Sequence, residues 1–114
     1  MATLTVNTVT QAGFRDDNAL VAAAGGGDAF SPGSDVFVRI NNGGGAPITA
    51  TFATPGTVGG LAIADGGGSV TNAQSRIFGP FPAEIYADTT TGLVVLTYSG
   101  VTTVTVGVFK IPRA

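Results

Sequence analysis

Residues Leu93–Lys110 carry the densest apolar pattern in the chain and constrain its fold most strongly. Between positions 103 and 108, three valines alternate with two threonines and a glycine. A period of two indicates a half-buried β-strand, because successive side chains point to opposite faces. The preceding stretch, Leu93–Ser99, is apolar on both faces, as in a strand that is central in a packed structure. Ser99-Gly100 is a turn dipeptide, so this segment predicts two strands paired as a hairpin.

Other parts of the chain show the same pattern, separated by glycine or proline. The aliphatic side chains of residues 36–40 and of residues 48–52 are each expected to face inward from a strand. A further β-bridge is expected at residues 85 and 86. The predicted strands before the hairpin are Thr3–Val9, Asp35–Asn41, Ile48–Ala53, Gly60–Ala64 and Arg76–Phe78. Seven to eight short strands at this spacing predict an all-β fold, a single antiparallel β-sandwich of Ig-like or jelly-roll (Greek key) type.

Residues 11–30 allow two interpretations. A short helix over Asn18–Ala24 is one, but it would span less than two turns and be marginal alone. A mostly extended excursion with Phe14 and Phe30 as anchors at its ends is the other, and it is favoured. The whole chain, residues 1–114, is expected to form one domain with an N-terminal arm (2–9) and a C-terminal tail (110–114).

The composition limits the possible functions. Only 11% of the 114 residues are charged and the net charge is −2, against about 25% charged residues in typical soluble domains. The five basic residues are scattered, so nucleic-acid binding is not expected. The first residues lack the pattern of a signal peptide, and no run is long enough to span a membrane. A surface so poor in charge loses its water easily and favours a protein that works within an assembly.

Residues that could carry chemistry are few. The chain has no Cys and no His, which removes disulfides and the commonest general base and metal ligand. The clusters Gly25–Gly27, Gly43–Gly45 and Gly66–Gly68 lack the Lys of a phosphate-binding loop and are interpreted as loop glycines. A calcium site at Asp16, Asp17 or Asp28 remains an alternative, although the spacing matches no known calcium loop. We therefore expect no catalytic residue, no cofactor and no metal.

Aromatic side chains suggest recognition by shape instead. Phe37 and Phe109 lie opposite the aliphatic faces of their strands, so both are candidates for exposure. Phe37 and Arg39 share a face, and exposed aromatics beside arginine are typical of binding anchors. The alternative is that a loop such as Gln11–Phe30 covers this face.

Several segments, taken in order, resemble one known family. They are Thr3–Val9, Gly27–Phe30, Ile40–Asn42, Gly60–Asp65, Arg76–Pro82, Tyr86–Asp88 and Val95–Val106. Their order and spacing over nearly the whole chain are similar to those of small β-sandwich head decoration (cement or minor capsid) proteins of tailed bacteriophages.

The resemblance implies a structural protein on the outer capsid surface of the virion, synthesised in the host cytoplasm. It would bridge neighbouring subunits of the major capsid protein, as a homo-oligomer with a trimer favoured, and would contact neither nucleic acid nor membrane. By position, the residues expected to contact neighbours are Leu4, Val6, Phe14, Arg15, Phe37, Arg39, Lys110, Ile111 and Arg113.

Two other functions remain open. One is a carbohydrate- or receptor-binding module, which would need an aromatic platform such as Tyr86 or Tyr98 beside carboxylates. The other is a structural component of the head–tail junction or the tail.

Overall fold

The computed structural model describes residues 2–13, 19–58, 60–62 and 64–111. These residues contain twelve strands, of which four have two residues, and one short helix with described bounds. The strands are β1 (Ala2–Thr3), β2 (Val6–Thr8), β3 (Val21–Ala22), β4 (Asp28–Phe30), β5 (Val36–Asn42), β6 (Ile48–Phe52), β7 (Thr57–Val58), β8 (Leu61–Ala62), β9 (Gly66–Val70), β10 (Gln74–Phe78), β11 (Val94–Tyr98) and β12 (Val104–Lys110), and helix α1 is Ala83–Tyr86. No described helix has the length and hydrophobicity needed to span a lipid bilayer.

Two sheets pack face to face. The first sheet has the order β1-β4-β11-β6-β9, and the second has the order β10-β5-β12-β2, with β3 also paired to β12. Strands β7 and β8 form a separate two-stranded hairpin. The predicted all-β sandwich is confirmed, with more and shorter strands than the seven to eight expected.

The predicted inward faces are also confirmed. The alternate aliphatic residues of β5 and β12 are at most 4% exposed, and those of β6 at most 8%. A cluster of aromatic rings lies beside them: Phe52 has its ring centroid 4.6 Å from that of Phe81 and 6.3 Å from that of Phe30. The core therefore lies between the sheets, with the largest side chains at one end.

The predicted hairpin between β11 and β12 is wrong. β11 belongs to the first sheet and β12 to the second, so residues 99–103 cross from one sheet to the other. Ser99 continues the pairing of β11 with β6, because its N–H donates to the Thr49 carbonyl at 2.9 Å. β11 and β12 each bury one apolar face against the opposite sheet. They therefore pack across the core and do not pair with each other through hydrogen bonds.

The N-terminal arm is not one continuous strand. β1 pairs with β4 in the first sheet and β2 pairs with β12 in the second, both in parallel, whereas the sequence predicted only antiparallel pairs. Leu4 lies at the crossing, 7% exposed, and its N–H donates to the Ala29 carbonyl at 2.7 Å. The arm thus joins the edges of both sheets.

Three local predictions are also corrected. Gly66–Gly68 do not form a loop: they belong to β9 and pair with β6. Ile85 and Tyr86 lie in α1 and not in a β-bridge, because their N–H groups donate to the Pro82 carbonyl and turn the chain. Of the described residues in Gly60–Ala64, Leu61–Ala62 form a strand, and residue 63 lies outside the described residues. In the segment with two interpretations, Val21–Ala22 is extended and Ala19 is helical, while residues 14–18 lie outside the described residues.

Candidate interaction surface

The side of the second sheet that points away from the core brings together two of the predicted contact residues. We call this side the outer face. Its rows follow from the register of the strands, in which Arg39 pairs with Ile77 on one side and Gly107 on the other, and Phe37 pairs with Phe109. These side chains alternate with the buried valines of β5 and β12, so they project to the opposite side.

Phe37 and Phe109 stack on the outer face. Their ring centroids are 5.6 Å apart with an interplanar angle of 26°. Phe37 is half-buried, but Phe109 is only 2% exposed, so the predicted exposure of Phe109 is wrong. The reason is visible at Gly107, where an added Cβ would lie 2.9 Å from the Phe109 ring and 3.0 Å from Leu20 Cδ2. The chain around Leu20 therefore covers this part of the face, as the alternative interpretation expected.

Arg39 and Ile77 form the more open part of the outer face. Arg39 is half-buried, and Ile77, beside it on edge strand β10, is 61% exposed. Sequence reasoning missed Ile77. The alternation of β10 carries a signal for it, because Phe78 packs toward the core and its neighbour must then point outward.

Arg76, the neighbour of Ile77 on strand β10, connects this edge of the second sheet to the first sheet. Its Nη1 donates to the Ser69 carbonyl at 2.9 Å, and its guanidinium lies 5.2 Å from the centroid of the Phe78 ring. An added Cβ at Gly68 would lie 2.8 Å from Arg76 Nη1. Arg76 thus ties the edge of the second sheet to that of the first, which is a structural role.

The remaining predicted contact residues lie in different environments. Leu4 is buried in the sandwich interior, and Val6 is half-buried and packs against the core from its edge. Lys110 ends β12 and, with Asp35, lines a groove of about 450 Å³ where the arm crosses between the sheets. Ile111 is 59% exposed. Phe14, Arg15 and Arg113 lie outside the described residues.

Asp28 is the one fully buried acidic residue of the described chain. Its Oδ2 accepts hydrogen bonds from the Tyr98 hydroxyl at 2.7 Å and from the Ala24 N–H at 3.2 Å, while its Oδ1 is buried without a partner. Burial, then the hydrogen bond and charge of Asp28, raise the pKa of Tyr98 well above its ordinary value. Asp16 and Asp17 lie outside the described residues, so the calcium alternative stays untested there. Elsewhere in the described chain no three acidic residues converge on a metal position.

Replacing Tyr98 with phenylalanine is expected to lower the free energy of unfolding by about 2 kcal/mol at pH 7, because buried Asp28 loses a donor. The folded-state pKa of Tyr98 is raised, so the contribution of its hydroxyl is complete below about pH 10 and is lost as the pH rises above that. Urea unfolding from pH 7 to 11 should therefore show the two proteins converging. A difference that stays constant above pH 10 would contradict this account.

Comparisons of this chain with protein-family models, with curated proteins and with solved structures found no match. The case for a function therefore depends on the surface itself.

Proposed function

We propose that this chain is a structural virion protein that decorates and stabilises a bacteriophage capsid by bridging subunits of the major capsid protein. The observation that carries the proposal is the outer face, where exposed Ile77 lies beside half-buried Arg39, with half-buried Phe37 on the same face of β5. Aromatic, aliphatic and arginine side chains in one patch are typical of protein-binding anchors. Under this proposal the chain acts as a homo-oligomer, with a trimer favoured, on the outer capsid surface.

The low charge of the chain supports the same function. Residues 40–64 and residues 89–109 contain no charged residue, so a large part of the surface can be buried against a neighbour without desolvating ions. A decoration protein makes many small contacts that repeat over a lattice. Such contacts give strong overall attachment even where each is weak.

Arg39→Glu and Ile77→Asp are each expected to weaken attachment to the shell at least tenfold while leaving the sandwich folded. Each change places a negative charge in the proposed contact, where removal of an anchor commonly costs about 2 kcal/mol or more. Attachment is measured by sedimenting stripped particles with added protein, and folding by circular dichroism.

Thr97→Glu is the matched control, because it puts the same charge on an exposed position of the first sheet. It should attach like the wild type. If Arg39→Glu unfolds the protein, Arg39 is a structural residue and the assignment of this face is wrong. Normal attachment by both folded variants would also contradict it.

Counting copies separates decoration from the other virion roles. Purified particles should contain this chain in hundreds of copies, and removing it should lower their tolerance to heat or chelator. A copy number near six or twelve would instead favour a head–tail or tail component.

A carbohydrate-binding role is less well supported. Tyr98 bonds to buried Asp28, and Tyr86 packs edge-on against Phe81, with ring centroids 5.2 Å apart at 82°. Neither ring offers the flat exposed platform that stacking on a sugar requires. Binding of the isolated protein to a glycan array would reverse this preference.

A further inference from the structure

Strand β10 lies at one end of the second sheet, and its main chain is paired on one side only. Residues 74–78 pair with β5 in an unbroken antiparallel register, and no other strand of the described ranges pairs with β10. All but the last of these residues are exposed. A strand with one unpaired side offers a row of N–H and C=O groups to another strand. We call this unpaired side of β10 the free edge.

The hydrogen bonds of β5 show which of its residues face β10. In an antiparallel pair, the N–H and C=O groups of alternate residues point to the same neighbouring strand. At one end of β5, the Gly43 N–H donates to the Thr103 carbonyl at 2.9 Å. At the other end, the Asp35 carbonyl accepts from the Ile111 N–H at 3.3 Å. The odd-numbered residues of β5 therefore face β12, and the even-numbered ones face β10.

The same alternation identifies the groups that point to the free edge. Arg76 and Phe78 pair with even-numbered residues of β5, so their main-chain groups point to β5. The N–H and C=O groups of Ser75 and Ile77 then point the other way. Each of these two residues offers one donor and one acceptor, at the spacing of a regular strand.

The free edge is better suited to pairing than the neighbouring edge of the first sheet. That edge is β9, where Gly67 has φ +116° and interrupts the regular spacing. The Ser69 carbonyl of β9 already accepts from Arg76 Nη1 at 2.9 Å. Strand β10 contains no proline, and its one charged side chain, Arg76, is drawn toward the first sheet and does not screen the free edge. The usual protection of an exposed strand is therefore missing.

We propose that the free edge pairs with the free edge of a second copy, antiparallel about a two-fold axis. A strand edge is complementary to another strand edge, because each outward residue supplies both a donor and an acceptor. A two-fold axis uses the same groups on both copies, so this chain provides both halves of the contact. The product is one sheet that runs from β2 of one copy through both β10 strands to β2 of the other.

The side chains of β10 select the register of this pairing. With the axis at Ile77, each Ile77 N–H donates to the Ile77 carbonyl of the other copy. The two Ile77 side chains, 61% exposed in the single chain, then lie against each other on the outer face. The same register sets Arg76 of each copy opposite Phe78 of the other, a cation beside an aromatic ring. An axis at Arg76 would instead set two like charges opposite each other, which is unfavourable.

This contact goes beyond the proposed attachment to a shell and does not depend on it. Because the contact is two-fold, it links chains in pairs, and any contacts that make a trimer use other surfaces. The pair presents two outer faces side by side on one continuous sheet.

Ile77→Pro tests the pairing because it removes the N–H at the axis. Proline is accepted at an edge position whose N–H points away from the sheet, so the sandwich should fold, which circular dichroism checks. Sedimentation velocity over a concentration series should show the wild type pairing. Ile77→Pro should pair at least about tenfold more weakly, because two backbone hydrogen bonds are lost.

Two controls separate the free edge from the outer face. Ile77→Val keeps the N–H and a branched side chain, so it should pair like the wild type. Ile77→Asp alters both contacts, whereas Arg39→Glu alters only the proposed attachment to the shell and should also pair like the wild type.

A cross-link identifies the contact even if Ile77→Pro does not fold. The chain has no native cysteine, and the two Cα atoms at the axis would lie about 5.5 Å apart, within the range that a disulfide spans. Ile77→Cys should therefore give a disulfide-linked dimer under mild oxidation. Leu61→Cys, at a position that is 73% exposed in strand β8, should not.

Three results would overturn the proposal. The first is a wild-type chain that stays monomeric up to millimolar concentration. The second is a folded Ile77→Pro that pairs as strongly as the wild type, and the third is an Ile77→Cys chain that links no faster than Leu61→Cys. A monomeric wild type whose attachment to particles is weakened by Ile77→Pro and not by Ile77→Val would assign the free edge to a strand of the shell subunit.

Discussion

Phe52→Ala is expected to lower the free energy of unfolding by about 3–5 kcal/mol, the usual cost of truncating a buried phenylalanine. Phe52 is 1% exposed and is surrounded by other rings, with centroid distances of 4.6 Å to Phe81, 5.4 Å to Phe78 and 6.3 Å to Phe30. Closely packed rings cannot collapse far into the space left behind. Urea unfolding followed by circular dichroism measures the loss.

The matched comparison is Phe78→Ala. Phe78 packs against the same ring but is only partly buried, so its truncation should cost clearly less. A domain of this size has a total stability of about 5–15 kcal/mol, and Phe52→Ala should therefore shift the urea midpoint strongly. A loss below about 1 kcal/mol would mean that the aromatic cluster is not packed as described.

Gly67→Ala is expected to cost about 2–5 kcal/mol, which combines backbone strain with a steric clash. Gly67 has φ +116°, a conformation that residues with a side chain rarely adopt. A Cβ there would also collide with the carbonyl oxygen of Ala50 on strand β6. The same urea unfolding experiment measures this loss.

Gly25→Ala is the control for this change. Gly25 has space for a Cβ and no positive φ, so alanine there should be neutral or stabilise by up to about 1 kcal/mol. If Gly67→Ala were as stable as Gly25→Ala, β9 would not lie against β6 in the register described.

The features that the sequence predicted correctly are those that depend on the alternation of apolar and polar residues within a single strand. The buried faces of β5, β6 and β12 follow from a period of two that each strand carries by itself. The sandwich class follows from many such strands with glycine and proline between them. No long-range information is needed for either conclusion.

Strand partners could not be predicted in this way. Leu93–Lys110 looked like a hairpin because a turn separates two apolar runs, but packing across the core places β11 and β12 in different sheets. The arm is divided between sheets for the same reason. Gly66–Gly68 have no side chains that could alternate, so the sequence alone does not predict that they form a strand paired with β6.

The candidate surface was predicted in part. Phe37 and Arg39 do lie on the outer face, because alternation alone places them opposite the buried valines of β5. Burial of Phe109 depends on the chain around Leu20, and exposure of Leu61 depends on a hairpin that leaves both sheets. Neighbours distant in sequence decide both, and a single sequence does not identify them.

The place of β12 in the second sheet has a consequence for biosynthesis. It is the last described strand to leave the ribosome, yet β5, β2 and β3 all form hydrogen bonds to it. The emerging polypeptide therefore cannot complete this half of the core until β12 has left the ribosome, and products terminated before it lack the strand that joins the others. A chain that ends before Val104 would leave β5, β2 and β3 without the strand they share, and such unpaired edges promote aggregation.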